Sequence, residues 1–178
     1  MGVMHLSGWS EALVGVSGAM KSRLLDRGSL TQRLVHDCTD FAVRGTYQRN
    51  ARPFLDEGLV SKVGVNQYAL LRDVYLYCGA TPVVFAHSVL PYSSMIGRWS
   101  KLGRLGNRPL GAALFTDPQV KRECLQFRKI DARHPLYVGA VAAIMHPPVC
   151  LWARRSVFTL APCRILVTEV FLPSILEL

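Results

Sequence analysis

The sequence lacks most of the marks that would assign it a role quickly. It holds five cysteines, Cys38, Cys78, Cys124, Cys150 and Cys163, but no CxxC pair. An odd count at wide spacings suits reduced thiols better than a disulfide framework, so free cysteines and a cytoplasmic setting are expected. No positive charge precedes Lys21, as a secretory leader would require. Leu6 stands where a myristoylation pattern needs Ser or Thr. The longest apolar run of interest, 135–152, is broken by Pro147 and Pro148 and falls short of the ~20 residues of a membrane helix, so no membrane span is expected. His36, His134 and His146 are scattered. No His/Cys/Asp group has metal-ligand spacing, so no metal is expected. There is no GxSxG. Gly106-Asn107-Arg108-Pro109-Leu110-Gly111 imitates the start of a phosphate loop, but Ala112-Ala113 replace the working Lys-Ser/Thr pair.

Acid is also scarce. Lys and Arg number 21 against 12 Asp and Glu, a net charge of +9. The first 40 residues are balanced, so the excess lies in 41–178. No acid occurs between Asp73 and Asp117, a stretch that carries Arg98, Lys101, Arg104 and Arg108. Such a bias favours anionic partners. The basic run 98–108 has no aromatic-rich strand beside it of the kind RNA-binding modules use. It reads as a solvated loop, and no nucleic-acid partner is expected. At 178 residues, half of them hydrophobic and 19% charged, the chain is one domain with a core of its own.

Trp9, Leu13, Val16, Met20 and Leu24 follow helical spacing over 9–25. Ser29 and Gln32 then form a capping box for a second helix reaching about Asp37. Beyond it the period becomes two. Strands are predicted over 41–48, 66–78, 81–90, 120–130, 151–160 and 163–172, with tight turns at Gly79-Ala80 and Ala161-Pro162 and a helical turn over 110–115. The sum is an α+β domain on an antiparallel sheet of about six strands.

Strand alternation makes two charges informative. Arg72 shares a face with Leu70, Val74, Leu76 and Cys78. Glu169 shares one with Ile165, Val167 and Phe171. A charge among apolar neighbours is costly unless paired or bound to a ligand, so each is either half of a structural salt bridge, Arg72 to Glu169 being one pairing, or part of a site. One of Arg154 and Arg155 is expected to be buried. His87, between Phe85 and Val89, reads as a hydrogen-bonded core or edge histidine.

At these strands the sequence resembles the chorismate pyruvate-lyases of ubiquinone biosynthesis. The strongest match is Leu151-Trp152-Ala153-Arg154-Arg155-Ser156 followed by Leu166-Val167-Thr168-Glu169-Val170-Phe171-Leu172-Pro173. Further matches, in the same order, are Gly28 to Leu34, Leu71 to Val74 with Val84 to Pro91, and Leu102-Gly103 with Pro109-Leu110-Gly111. Leu30 stands where the best-known members carry Met. Residues 131–149 form a longer segment than in compact members, and the first 20 residues match no recognised motif. The resemblance implies one domain over 1–178, with an N-terminal helical extension over 1–28 and a family-like core over 29–173. It also implies a six-stranded sheet with helices on one side and two flap segments over a buried pocket. The activity implied is cofactor-free conversion of chorismate to 4-hydroxybenzoate and pyruvate by a cytoplasmic monomer. Arg72 and Glu169 are the implied catalytic residues, and Leu30, Arg72, Leu110 and Glu169 bind substrate or product. Leu30 and Leu110 would act through backbone N–H groups at the first turns of short helices. The alternative is a non-catalytic domain of the same fold that senses a small metabolite, as in effector-binding domains of bacterial regulators. Those are fused to a DNA-binding module, for which the 28 residues before Ser29 are too few.

Overall fold

The computed structural model describes residues 8–178. Its elements, in chain order, are α1 (Gly18–Leu25), α2 (Leu30–Asp37), β1 (Phe41–Ala51), α3 (Leu55–Ser61), β2 (Ala69–Cys78) and β3 (Thr81–Pro91). There follow α4 (Leu110–Phe115), β4 (Lys121–Arg122), β5 (Gln126–Asp131), α5 (Pro135–Val141), β6 (Cys150–Leu160) and β7 (Cys163–Phe171). Every pairing between strands is antiparallel. The sheet runs β1-β2-β3-β7-β6, and both β4 and β5 pair with the outer side of β6. The predicted strand over 120–130 is thus two short ones, interrupted at residues 123–125, and among the described residues the sheet has seven strands.

The two faces of the sheet carry different cover. On one face Leu24, Leu30 and Leu34 of the first two helices pack with Val74, Val84 and Phe171. Beside them Leu110 and Leu114 of α4 pack with Leu90, Phe158 and Ile165. On the other face Leu136, Tyr137 and Ala140 of α5 meet Phe85, Ala153 and Val170, while Val60 and Val63 around α3 meet Leu71, Val89 and Leu166. Helices therefore lie on both faces. The helix α5 falls in the long 131–149 segment: His134 caps it, its Nδ1 accepting from the Leu136 N–H at 3.2 Å.

The first helix is shorter than the 9–25 predicted. Ser10 instead exchanges backbone hydrogen bonds with Phe127 of β5, and Gly15 has φ +71°, a left-handed conformation that ends helical continuity. Trp9 joins the core of the α5 face, whereas Leu13 and Val16 pack on the α2 face. Residues 9–17 thus wrap round the sheet edge. Of the expected helical extension over 1–28, residues 1–7 lie outside the described residues, and among the described ones only 18–25 are helical.

The cysteines differ from expectation. Cys38, just past α2, is joined to Cys78 at the end of β2, with Cα atoms 5.5 Å apart. Sequence spacing gives no hint of this, because it depends on Phe41 pairing opposite Cys78, which folds Cys38 back over that strand. Cys124, Cys150 and Cys163 are free. A thiol reagent under denaturing, non-reducing conditions is therefore expected to titrate three cysteines, and five after reduction. Five without reduction would show that the bridge does not form in solution.

Candidate active site

Two rows of side chains cross the helix-covered α2/α4 face. The registers place Arg72, Ser88, Val167 and Ser156 in one row and Val74, Ala86, Glu169 and Arg154 in the next. Arg72 and Glu169 flank β3, about 10 Å apart across two strand spacings and about 7 Å along the strands. Ala86 and Ser88 of β3 lie between them, and both are small. Leu70, Ala86, Val167 and Glu169 are only half-buried, although they lie on interior strands beneath helices. Surface left accessible there marks a hollow between the α2 cluster and the α4 cluster.

Arg72 stands at one end, 1% exposed. Its Nη2 donates to the carbonyls of Gly106 at 3.0 Å and Arg108 at 2.9 Å. Gly106 has φ +55°, which turns its carbonyl to the guanidinium, and Thr46 holds the same loop by donating to Asn107 Oδ1 at 2.8 Å. Neutral carbonyls do not balance a charge. No carboxylate among the described residues pairs with Arg72, and its Nε is buried with no partner. Burial pushes its pKa below the ordinary value. A buried cation with an unused donor is a place for an anion.

At the other end Glu169 Oε2 accepts from Arg154 Nε at 2.5 Å, and Arg122 Nη2 lies 3.9 Å away. The Arg72–Glu169 salt bridge open from sequence does not form: the two are offset by two residues across β3, and Glu169 is taken up by its register partner Arg154. Arg154 also donates through Nη1 to the carbonyls of Arg23, Leu24 and Asp26, satisfying the free carbonyls at the end of α1. Leu30 and Leu110 open α2 and α4 and are both buried. A Cβ on Gly111 would come within 3.3 Å of Thr31 Oγ1, so the two helix starts abut above the strands. The first N–H groups of a helix have no intrahelical acceptor. Ser29 takes that of Gln32, leaving those of Leu30 and Thr31 outside the helix ladder.

Both Arg154 and Arg155 are buried, not one of them, because each face of β6 has its own acid. Arg155 donates to Asp56 at 2.7 Å and to Gln126 at 3.0 Å, and its guanidinium lies over the Trp9 ring. It belongs to a polar row on the opposite face: Tyr47, Asp73, His87, Thr168, Arg155 and Gln126 stand in register. His87 is fully buried there. Its Nδ1 bonds Asp73, and its Nε2 sits 3.3 Å from Glu57 Oε1, at ion-pair distance but off the line of a hydrogen bond. Burial alone would lower its pKa, but Asp73 and Glu57 outweigh it and raise the value to about 9.

A group whose folded pKa exceeds its unfolded one stabilises the fold fully below the unfolded value, here about 6.5. That contribution is lost as pH rises through about 9. The melting temperature is therefore expected to fall by several degrees between pH 6.5 and 9, and His87→Gln should flatten this slope. An equal slope in the variant would assign the pH dependence elsewhere.

Alternation singles out Arg72 and Glu169, which the structure places at the two ends of this hollow, but gives no sign of Arg122 beside Glu169, because it sits in a Lys-Arg-Glu run with no readable face. The opposite-face row had a signal: Asp73 and His87 fall on the same face by alternation.

Three comparisons bear on this arrangement. The family model described as chorismate lyase matches residues 7–177, which brings most of the motif-poor first 20 residues into the family match. A probable chorismate pyruvate-lyase of Nitrosospira multiformis is 48% identical, covering 100% of this chain and 99% of its own length. One from Nitrosomonas europaea is 43% identical, covering 96% of each. Among solved structures, the effector domain of PhnF from Mycobacterium smegmatis has a TM-score of 0.54 at 15% identity, covering 84% of this chain and 91% of that one. The C-terminal domain of the histidine utilization repressor from Pseudomonas syringae gives 0.52 at 8%, covering 76% and 93%. At such identities these two structures establish a shared fold.

Proposed function

The chain belongs to the chorismate lyase family, and from that premise we propose that it converts chorismate to 4-hydroxybenzoate and pyruvate in the hollow between Arg72 and Glu169. The observation that carries this reading is the buried Arg72, which has a free Nε and no acid of its own, facing across β3 to a carboxylate. Chorismate presents para-disposed groups to match. Its ring carboxylate pairs with the Arg72 fork, and its C4 hydroxyl donates to Glu169. The starts of α2 and α4, at Leu30 and Leu110, bring backbone N–H groups to the same carboxylate.

The bond between C3 and the ether oxygen breaks, and C4 loses its proton. The released enolpyruvate takes up a proton and ketonises to pyruvate, so atoms balance without an added reactant. Aromatisation of the ring drives the step. The protein's work is orientation of a cyclic diene and stabilisation of charge on the departing oxygen. No redox change occurs, so the reaction requires no cofactor. The α1–α2 turn and the loop before α4 serve as the two flaps. The reaction would run in a cytoplasmic monomer and supply the aromatic ring of ubiquinone.

Incubating the purified protein with chorismate tests the reading. Equimolar 4-hydroxybenzoate, by absorbance, and pyruvate, by a coupled dehydrogenase, are expected. Saturable binding of chorismate with neither product would overturn catalysis and leave a metabolite-sensing domain.

A further inference from the structure

Resting on that reaction, we propose that Arg122 is a second anion anchor, binding the side-chain carboxylate of chorismate and so selecting an enolpyruvyl ether over a simple aromatic acid. Chorismate is a dianion, and its two carboxylates lie at different ends. If the C4 hydroxyl meets Glu169, the ether at the adjacent C3 brings the side-chain carboxylate close to whatever surrounds Glu169. Arg122 is what stands there, with Nη2 3.9 Å from Glu169 Oε2.

The rest of Arg122 is held firmly. Nε donates to Ser156 Oγ at 2.7 Å, and Nη1 reaches the carbonyls of Arg27 at 3.2 Å and Gly28 at 3.4 Å. The rings of Phe115 and Phe158 lie 5.5 and 5.4 Å from its guanidinium carbon. These contacts tie it to β6, to the α1–α2 turn and to α4 at once. Nη2 makes no hydrogen bond among the described residues, so one donor remains for a ligand. Burial lowers the Arg122 pKa to about 10, which leaves it cationic at neutral pH. A cleft of about 180 Å³ lined by Arg27, Arg122, Glu123, Cys124 and Leu125 opens beside it.

The charges agree. On this face Arg72, Arg122 and Arg154 stand against Glu169, and Glu123 beside Arg122 is paired with Arg164 at 2.8 Å. Nearby Asp26 is engaged by Arg33 at 3.1 Å. The balance is +2, which a dianion neutralises and a monoanion does not. Arg154 also has a buried Nη2 without a partner, but its charge is already met by Glu169 at 2.5 Å and three carbonyls take its Nη1, whereas Arg122 stands 3.9 Å from that carboxylate, so Arg154 is the weaker candidate.

The product lacks the side chain, and this gives a decisive test. Arg122→Gln and Arg122→Lys are compared with the natural protein for turnover of chorismate and for calorimetric binding of 4-hydroxybenzoate in the same preparations. Arg122→Gln is expected to lower kcat/KM for chorismate roughly 10²-fold while the Kd for 4-hydroxybenzoate moves less than about threefold. Arg122→Lys should recover part of the loss by restoring charge. Equal losses for substrate and product, or no loss for either, would overturn the anchor. If Arg122→Gln does not fold, the same split is read on Arg122→Lys. Absence of turnover in the natural protein would instead overturn the reaction itself.

Discussion

Arg72→Ala is expected to cost about 2–5 kcal/mol of 4-hydroxybenzoate binding, the usual loss when one partner of a buried charge pair is removed. The size follows from where the side chain sits. Its guanidinium is 1% exposed, so a ligand carboxylate there meets it with little competing water, and charge-assisted bonds are strongest in such places. The substitution also leaves the Gly106 and Arg108 carbonyls without their donor, so some stability is lost with it. Arg72→Lys separates the two effects. It keeps the charge but not the fork, and it should bind more weakly than the natural protein yet better than Ala. Calorimetry well below each melting temperature is the measurement. Unchanged affinity in a folded Arg72→Ala protein would reject the clamp.

Glu169→Gln should lower kcat by roughly 10²-fold or more if the carboxylate acts as a base at C4. Gln still offers an oxygen to the C4 hydroxyl, so ground-state binding weakens only modestly. What disappears is charge and basicity. The structure adds a cost that strand alternation alone does not reveal. Arg154 is fully buried and spends its Nε on this carboxylate. Neutralising Glu169 strips a buried cation of its counter-charge, although three carbonyls still hold its Nη1. A stability loss of about 1–3 kcal/mol is therefore expected alongside the kinetic one. Assays at a temperature where both proteins are fully folded distinguish them. Near-normal turnover would leave Glu169 as a positioning acceptor only.

The period of two made the sheet legible, and six stretches of alternation mark its strands. It also exposed Arg72 and Glu169, since a charge among Val, Leu and Phe on one face is conspicuous. The same rule could not separate Arg154 from Arg155, because both faces of β6 are polar at that level and each acid partner comes from a distant element. Helix α3 escaped because its seven residues, Leu55–Ser61, leave Leu55 and Leu59 exposed and bury Glu57, Gly58 and Ser61, so no apolar stripe marks it. Helix α5 is masked by the apolar run 135–152. The bridge between Cys38 and Cys78 and the place of Arg122 depend on pairings across the sheet, which spacing in one dimension does not contain.

The strands carry two messages written on alternate letters. Arg72 is followed by Asp73, Thr168 precedes Glu169, and Arg154 precedes Arg155; in each pair one residue lies on the face covered by α2 and α4 and its neighbour in the buried row behind. A single residue inserted into β2, β6 or β7 would exchange the two layers at once, putting Asp73 in the place of Arg72 and presenting the acids of α3 with the wrong partners. Length can change safely only in the turns. The segment 132–149 fits that constraint, because it lies between β5 and β6 and packs α5 on the face away from the hollow. Such a chain has freedom to lengthen at its corners and almost none along its strands.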